Sequence, residues 1–168
     1  AYLKCVQDLI VSSPRNGNEL RNLLYTALEY KDGPFAIRYP KASSEEFDQN
    51  LQAELLPIGS WEVLQNGNDV AILAVGPLTY LALEAAEELK KLDISCEVVN
   101  CRFIKPMDEN YLEFMLEKFS SVLTIEEGVR SGGFGEGVLS WLSSNNYKGN
   151  SSIISLPDKF VEHGPRDL

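Results

Sequence analysis

Leu9 to Ser12 is a short apolar run that Pro14 ends, the pattern of a buried parallel strand. Leu20, Leu23, Leu24, Ala27 and Leu28 then recur at i, i+3, i+4, i+7 and i+8, which predicts a helix capped by Asn16 or Asn18. Gly33 and Pro34 stop that helix, and Phe35 to Tyr39 predicts a second strand closed by Pro40. The result is a β-α-β unit, which cannot cover both faces of its strands and so is expected to need a sheet that is not in this sequence. Residues 41–57, rich in Ser, Glu, Asp and Gln, lose all periodicity and read as a linker.

The pattern restarts after the linker. Ile58 to Leu64 and Val70 to Val75 read as strands, and Asn66-Gly67-Asn68 between them is a hairpin signal. Pro77 opens a helix with Leu78, Leu81, Ala82, Ala85 and Leu89 inward and Lys90-Lys91 at its C-terminal end. Glu97 to Phe103 predicts a strand that exits at Pro106. Asp108 caps a helix with Tyr111, Phe114, Met115 and Phe119 on one face. Val122 to Ile125 is a strand, Phe134 to Ser143 a helix and Ile153 to Leu156 a last strand. Strands alternating with helices of this length predict an α/β/α domain with a mostly parallel sheet.

Composition narrows the partners rather than the fold. With 168 residues, 44% hydrophobic and 24% charged, the chain is ordinary globular protein. A net charge of −10 argues against nucleic acid or an anionic membrane as partner, and no apolar run approaches the roughly 20 residues of a membrane span. The three cysteines, Cys5, Cys96 and Cys101, form no C-x-x-C pair, which fits a reduced, cytoplasmic setting with the thiols acting as small apolar residues. The opening AYLKCVQDLIVSSP has neither a signal-peptide pattern nor an initiator Met and runs straight into a strand, which predicts further chain upstream.

Four stretches carry candidate chemistry. GVRSGGFGEGV, residues 128–138, lies between a strand and a helix, where backbone amides can cradle a phosphate. Its glycine spacing matches neither G-x-x-x-x-G-K-[ST] nor G-x-G-x-x-G, so a tight turn with close backbone approach fits it better. Glu126 and Glu127 end a strand at the carboxyl edge, but neighbours on a strand point to opposite faces and do not form a working pair. One of them is expected to cap the glycine turn or to pair with Arg130. His163, the lone histidine, has no partner at a recognisable spacing and reads as a loop or interface residue. Arg38 and Lys41, at a strand's carboxyl end in AIRYPKA, are either a receptor for phosphate or carboxylate or ordinary surface charges.

A resemblance adds to this. YLKCVQDLIVSSP, NELRNLLYTALEY, DGPFAIRYPKA, LPIGSWEVL, RFIKPMDE, VLTIEEG, GGFGEGV and SLPDKFVEHG together resemble the 1-deoxy-D-xylulose-5-phosphate synthase family of transketolase-like enzymes, over essentially the whole chain. Pieces such as IRYP and TIEEG also resemble transketolases and 2-oxoacid dehydrogenase β subunits, which stay as alternatives. So does a non-catalytic assembly module.

The resemblance implies a homodimeric transferase that joins pyruvate to glyceraldehyde 3-phosphate with loss of carbon dioxide. Thiamine diphosphate and Mg²⁺ would be its cofactors, and isoprenoid and thiamine synthesis would use its product. Residues 1–50 would end the pyrimidine-binding domain, and 51–168, after a linker at about 41–57, would form a transketolase C-terminal domain. The family's cofactor, metal and catalytic residues would fall before Ala1, so none is assigned here and the chain alone would be inactive. One family position falls inside: an Arg after the tyrosine-proline pair that contacts the substrate phosphate. Lys41 stands there instead, a point charge without a bidentate fork. Arg38 looks structural.

Overall fold

A computed structural model describes residues 2–41 and 47–160. A 3-10 turn, Tyr2–Cys5, leads to β1 (Ile10–Ser12), α1 (Gly17–Glu29) and β2 (Phe35–Ile37). β1 and β2 are parallel with Ile10 opposite Phe35, and Asn16 caps α1 by accepting from Glu19 N. The expectation that the rest of this sheet lies outside the sequence is corrected, because a strand from later in the chain completes it. β6 (Phe103–Lys105) pairs antiparallel with β1, giving a three-stranded sheet ordered β2-β1-β6. Phe103, fully buried, joins Ile10 and Leu23 in the core of this sheet.

The buried stripe of α1 differs from the expected apolar face. Glu19, Leu23 and Thr26 are buried, whereas Leu24 and Leu28 are 50% and 70% exposed. Apolar periodicity misses this stripe because two of its three members are polar and satisfied by tertiary partners. Part of the expected linker is also more ordered than its composition implies. On one face of α1, Asn18 Oδ1, Asn22 Oδ1 and Thr26 Oγ1 accept the backbone N–H groups of Asp48, Glu54 and Leu56 at 2.9, 3.1 and 2.9 Å. Three acceptors spaced by four residues thus hold an irregular strap that has no periodicity of its own.

The second sheet has five strands in the order β3-β5-β4-β7-β8. They are β3 (Glu62–Gln65), β4 (Val70–Ala74), β5 (Cys96–Asn100), β7 (Ser121–Val129) and β8 (Asn150–Leu156), with α2 (Leu78–Lys90), α3 (Glu109–Lys118) and α4 (Phe134–Ser144) between. All neighbours are parallel except β3 with β5, so the expected mostly parallel α/β/α architecture is found. Alternation along β4 divides the core. Ile72 and Ala74 face Ala82 and Ala86 of α2, while Ala71 and Leu73 face Leu112 and Met115 of α3 and Val138 of α4.

Two further sequence expectations are corrected. The hairpin at Asn66-Gly67-Asn68 does not form, because β5 lies between β3 and β4. Gly67 serves close approach instead: a Cβ there would collide with the backbone of Cys96 and Glu97. The single strand expected over Glu97–Phe103 is two, β5 and β6, which break at Cys101-Arg102 and join different sheets. The inward faces of two helices also shift. Leu81 is 52% exposed while Thr79 is buried, and Phe114 is 55% exposed while Leu112 is buried.

Candidate functional site

The carboxyl ends of β1, β2, β4 and β7 meet where the two sheets join, and the sequence-selected residues of the described chain lie there. Glu126, 8% exposed, turns to the α4 side of β7. Its carboxylate accepts from Phe134 N and Gly135 N, both at 2.8 Å. That is the anion position at a helix N-terminus, filled by the protein's own carboxylate. The glycines make room for it, since a Cβ on Gly128 or Gly133 would collide with that carboxylate. The glycine-rich stretch is therefore a tight turn built around Glu126, and its helix N-terminus has no room for a phosphate.

Glu127 points the other way, as strand alternation requires. Its Oε2 accepts from Arg38 at 3.1 Å, so among the described residues it pairs with Arg38 rather than with Arg130. Arg38 N also donates to Ser12 O at 2.8 Å, which ties the exit of β2 to β1. Lys41, three residues on, is exposed, and among the described residues it makes no hydrogen bond or ion pair. His163 lies outside the described residues.

A second cluster at the junction was not visible in the sequence. Glu19, 6% exposed, accepts from Arg15 N and Asn100 Nδ2, both at 2.7 Å, and lies 3.6 Å from Arg102. Arg102 donates through Nε to Ser60 O at 3.0 Å and faces Glu62 at 3.8 Å. Burial holds the Glu19 carboxyl above its ordinary range, against the lowering pull of the Arg15 backbone bond, Arg102 and Asn100. Arg102 sits at the break between β5 and β6, so α1, β3 and both sheets meet on it. Only the tertiary fold brings these residues together, because Glu19 and Arg102 lie 83 positions apart.

Of the cysteines expected to act as small apolar residues, Cys96 and Cys101 are buried in the core, whereas Cys5 is exposed. Burial raises the thiols of Cys96 and Cys101, which keeps them protonated and poor nucleophiles. Glu97, 1% exposed, accepts from Tyr111 Oη at 2.8 Å and Lys118 Nζ at 2.5 Å. Burial, then the bond to Glu97, pushes the Tyr111 hydroxyl far above its usual range. A cleft of about 580 Å³ lined by Asp69, Lys118, Asn145 and Tyr147 opens at the opposite, amino edge of the parallel strands, away from the junction.

The described residues do not fit a thiamine diphosphate site. Among them no group of three His, Cys, Asp or Glu is placed to hold a metal ion, and the one glycine-rich helix start is filled by Glu126. Nor is any described helix long and apolar enough to cross a membrane.

Comparison with known proteins agrees with this architecture. The profile of the transketolase C-terminal domain matches residues 59–168, and the chain belongs to that family. A split-gene transketolase, solved as an inactive β4 tetramer, superimposes with a TM-score of 0.83 at 29% identity, over 93% of this chain and 51% of the other. More particularly, the chain is 44% identical over 98% of its length to 1-deoxy-D-xylulose-5-phosphate synthase of Geobacillus sp. (strain WCH70). It is 42% identical to the synthase of Bacillus cereus (strain AH820). It spans 26% of the length of these curated relatives and is homologous to their C-terminal part.

Proposed function

We propose that the chain is the C-terminal part of a 1-deoxy-D-xylulose-5-phosphate synthase, which condenses pyruvate with glyceraldehyde 3-phosphate and releases carbon dioxide. The observation that carries this is the 44% identity to such a synthase over 98% of the chain. In this reading thiamine diphosphate and Mg²⁺ are held by other parts of the enzyme, a homodimer of the cytoplasm, and supply the carbon chemistry when bound. Residues 1–50 end the pyrimidine-binding domain and 51–168 form the C-terminal domain. Lys41 receives the phosphate of glyceraldehyde 3-phosphate, supported by its exposure at the end of β2 and its lack of a polar partner among the described residues.

Steady-state kinetics of the full-length synthase carrying this chain test the role of Lys41. One charge-assisted contact contributes about 1.5–3 kcal/mol. Lys41→Ala should therefore raise KM for glyceraldehyde 3-phosphate roughly ten- to hundredfold and leave KM for pyruvate nearly unchanged. Lys41→Arg should hold or improve activity. An equal rise in both KM values would return Lys41 to an ordinary surface charge.

A second reading, a non-catalytic assembly module, is favoured by the split-gene transketolase relative, whose β4 tetramer is inactive. Calorimetric titration of the chain alone with thiamine diphosphate and Mg²⁺ should give no heat of binding under either reading. Activity restored by adding the remaining domains in trans would favour the module.

A further inference from the structure

We propose that Glu127 is a positioning residue for the phosphate subsite that Lys41 supplies; the inference rests on the proposed reading of Lys41. Among the described residues, two polar ties hold the segment 38–41, and both belong to Arg38. Its backbone N–H donates to Ser12 O of the three-stranded sheet at 2.8 Å, and its guanidinium donates to Glu127 of the five-stranded sheet at 3.1 Å. Arg38 is thus fixed at both ends, to two different sheets. From that anchor the chain reaches Lys41 through Tyr39 and Pro40, and Pro40 holds its own φ near −65°. The course of the segment is set where Arg38 is held.

The carboxylate at position 127 is not a requirement of packing. Its side chain is 21% exposed and that of Arg38 is 47% exposed, and an ion pair this open contributes little to stability. What the pair does is join the two sheets beside Lys41 and neutralise the cation nearest to it in sequence. Among the described residues, Lys41 is left as the uncompensated charge on the segment. Glu126, the adjacent carboxylate, cannot take this part, because it faces the other side of β7 and is committed to the start of α4.

The test is kinetics of the full-length synthase with glyceraldehyde 3-phosphate and pyruvate varied in turn. Glu127→Gln should raise KM for glyceraldehyde 3-phosphate roughly two- to fivefold, with kcat and KM for pyruvate nearly unchanged, as fits an exposed ion pair. The charge swap Arg38→Glu with Glu127→Arg rebuilds the tie in reverse and should bring KM back towards the parent value. A variant that only weakened the fold would lower kcat with both substrates and would not be rescued by the swap. That pattern, or a KM for glyceraldehyde 3-phosphate that is unchanged or lower in Glu127→Gln, overturns the proposal. Lys41→Ala measured in parallel separates the two claims. If it raises this KM and Glu127→Gln does not, only the positioning role falls; if Lys41→Ala has no effect, both fall.

Discussion

The two sheets solve the same problem to different degrees. The five-stranded sheet has helices on both faces and carries a buried carboxylate, Glu97, paired with the partly exposed Lys118 at the margin of its core. The three-stranded sheet closes only because β6 is lent to it by the chain that also builds the other sheet. Even then α1 leaves Leu24, Tyr25 and Leu28 at 50%, 37% and 70% exposure. Closure of an α/β core needs apolar surface on both sides of the strands. The second unit supplies it from its own sequence, and the first borrows it and keeps an apolar face open.

The largest expected effect lies in the closed unit. Lys118→Met removes the one cation that, among the described residues, pairs with a carboxylate that is 1% exposed, and breaking a buried pair costs about 3–5 kcal/mol. Urea unfolding followed by circular dichroism should show that loss. Adding Glu97→Gln, which keeps an acceptor for Tyr111, should recover most of it. If Lys118→Met alone is neutral, the pair is not what stabilises this sheet.

Next comes the borrowed closure. Leu23 is fully buried against Ile10 and Phe103, and a buried Leu→Ala change costs about 2–5 kcal/mol. Because Phe103 belongs to β6, Leu23→Ala should lower one common unfolding transition. A separate early transition, seen by hydrogen exchange in residues 9–37 alone, would show instead that the two sheets unfold independently.

Smaller is the pH dependence that Glu19 brings to the junction. Its carboxyl is held above the ordinary value of 4.5, so the folded state keeps the proton more tightly than the unfolded chain. The stability it contributes is fully present below pH 4.5 and is lost as pH rises through the raised value. Glu19→Gln should flatten that decline in urea midpoints measured from pH 4 to 7. A decline that survives the substitution must come from other groups.

The smallest effect on stability, though not on association, is expected on the open face. Exposed apolar faces seek partners, so the chain should self-associate. Leu24→Asp with Leu28→Asp should shift it towards monomer in sedimentation velocity, with the urea midpoint almost unmoved. Association that persists would point to another surface, such as the outer edge of β8, the last strand of its sheet among the described residues.

Local chemistry decided much of this protein. Asn16 and Asp108 cap helices as their types imply, accepting from Glu19 N and Tyr111 N. Apolar runs found the strands, and the opposition of Glu126 and Glu127 followed from strand alternation alone. The motifs that resemble the synthase family were legible as well, and Lys41 was picked out through them. What needed the tertiary structure is every feature in which one segment answers another. Asn66-Gly67-Asn68 has the composition of a hairpin, yet β5 comes between its strands, because pairing follows the whole sheet and not a local turn. Glu97–Phe103 looks like one strand, and its break at Cys101-Arg102 is set by the second sheet it must complete. Glu19 and Thr26 are buried although polar, since partners far along the chain satisfy them: Asn100 donates to Glu19, and Thr26 accepts from Leu56 N. Hydrophobic periodicity records which residues avoid water, not which polar groups find partners inside. The junction cluster around Arg102 and the tie between Arg38 and Glu127 are made only of such partners, so only the folded chain reveals them.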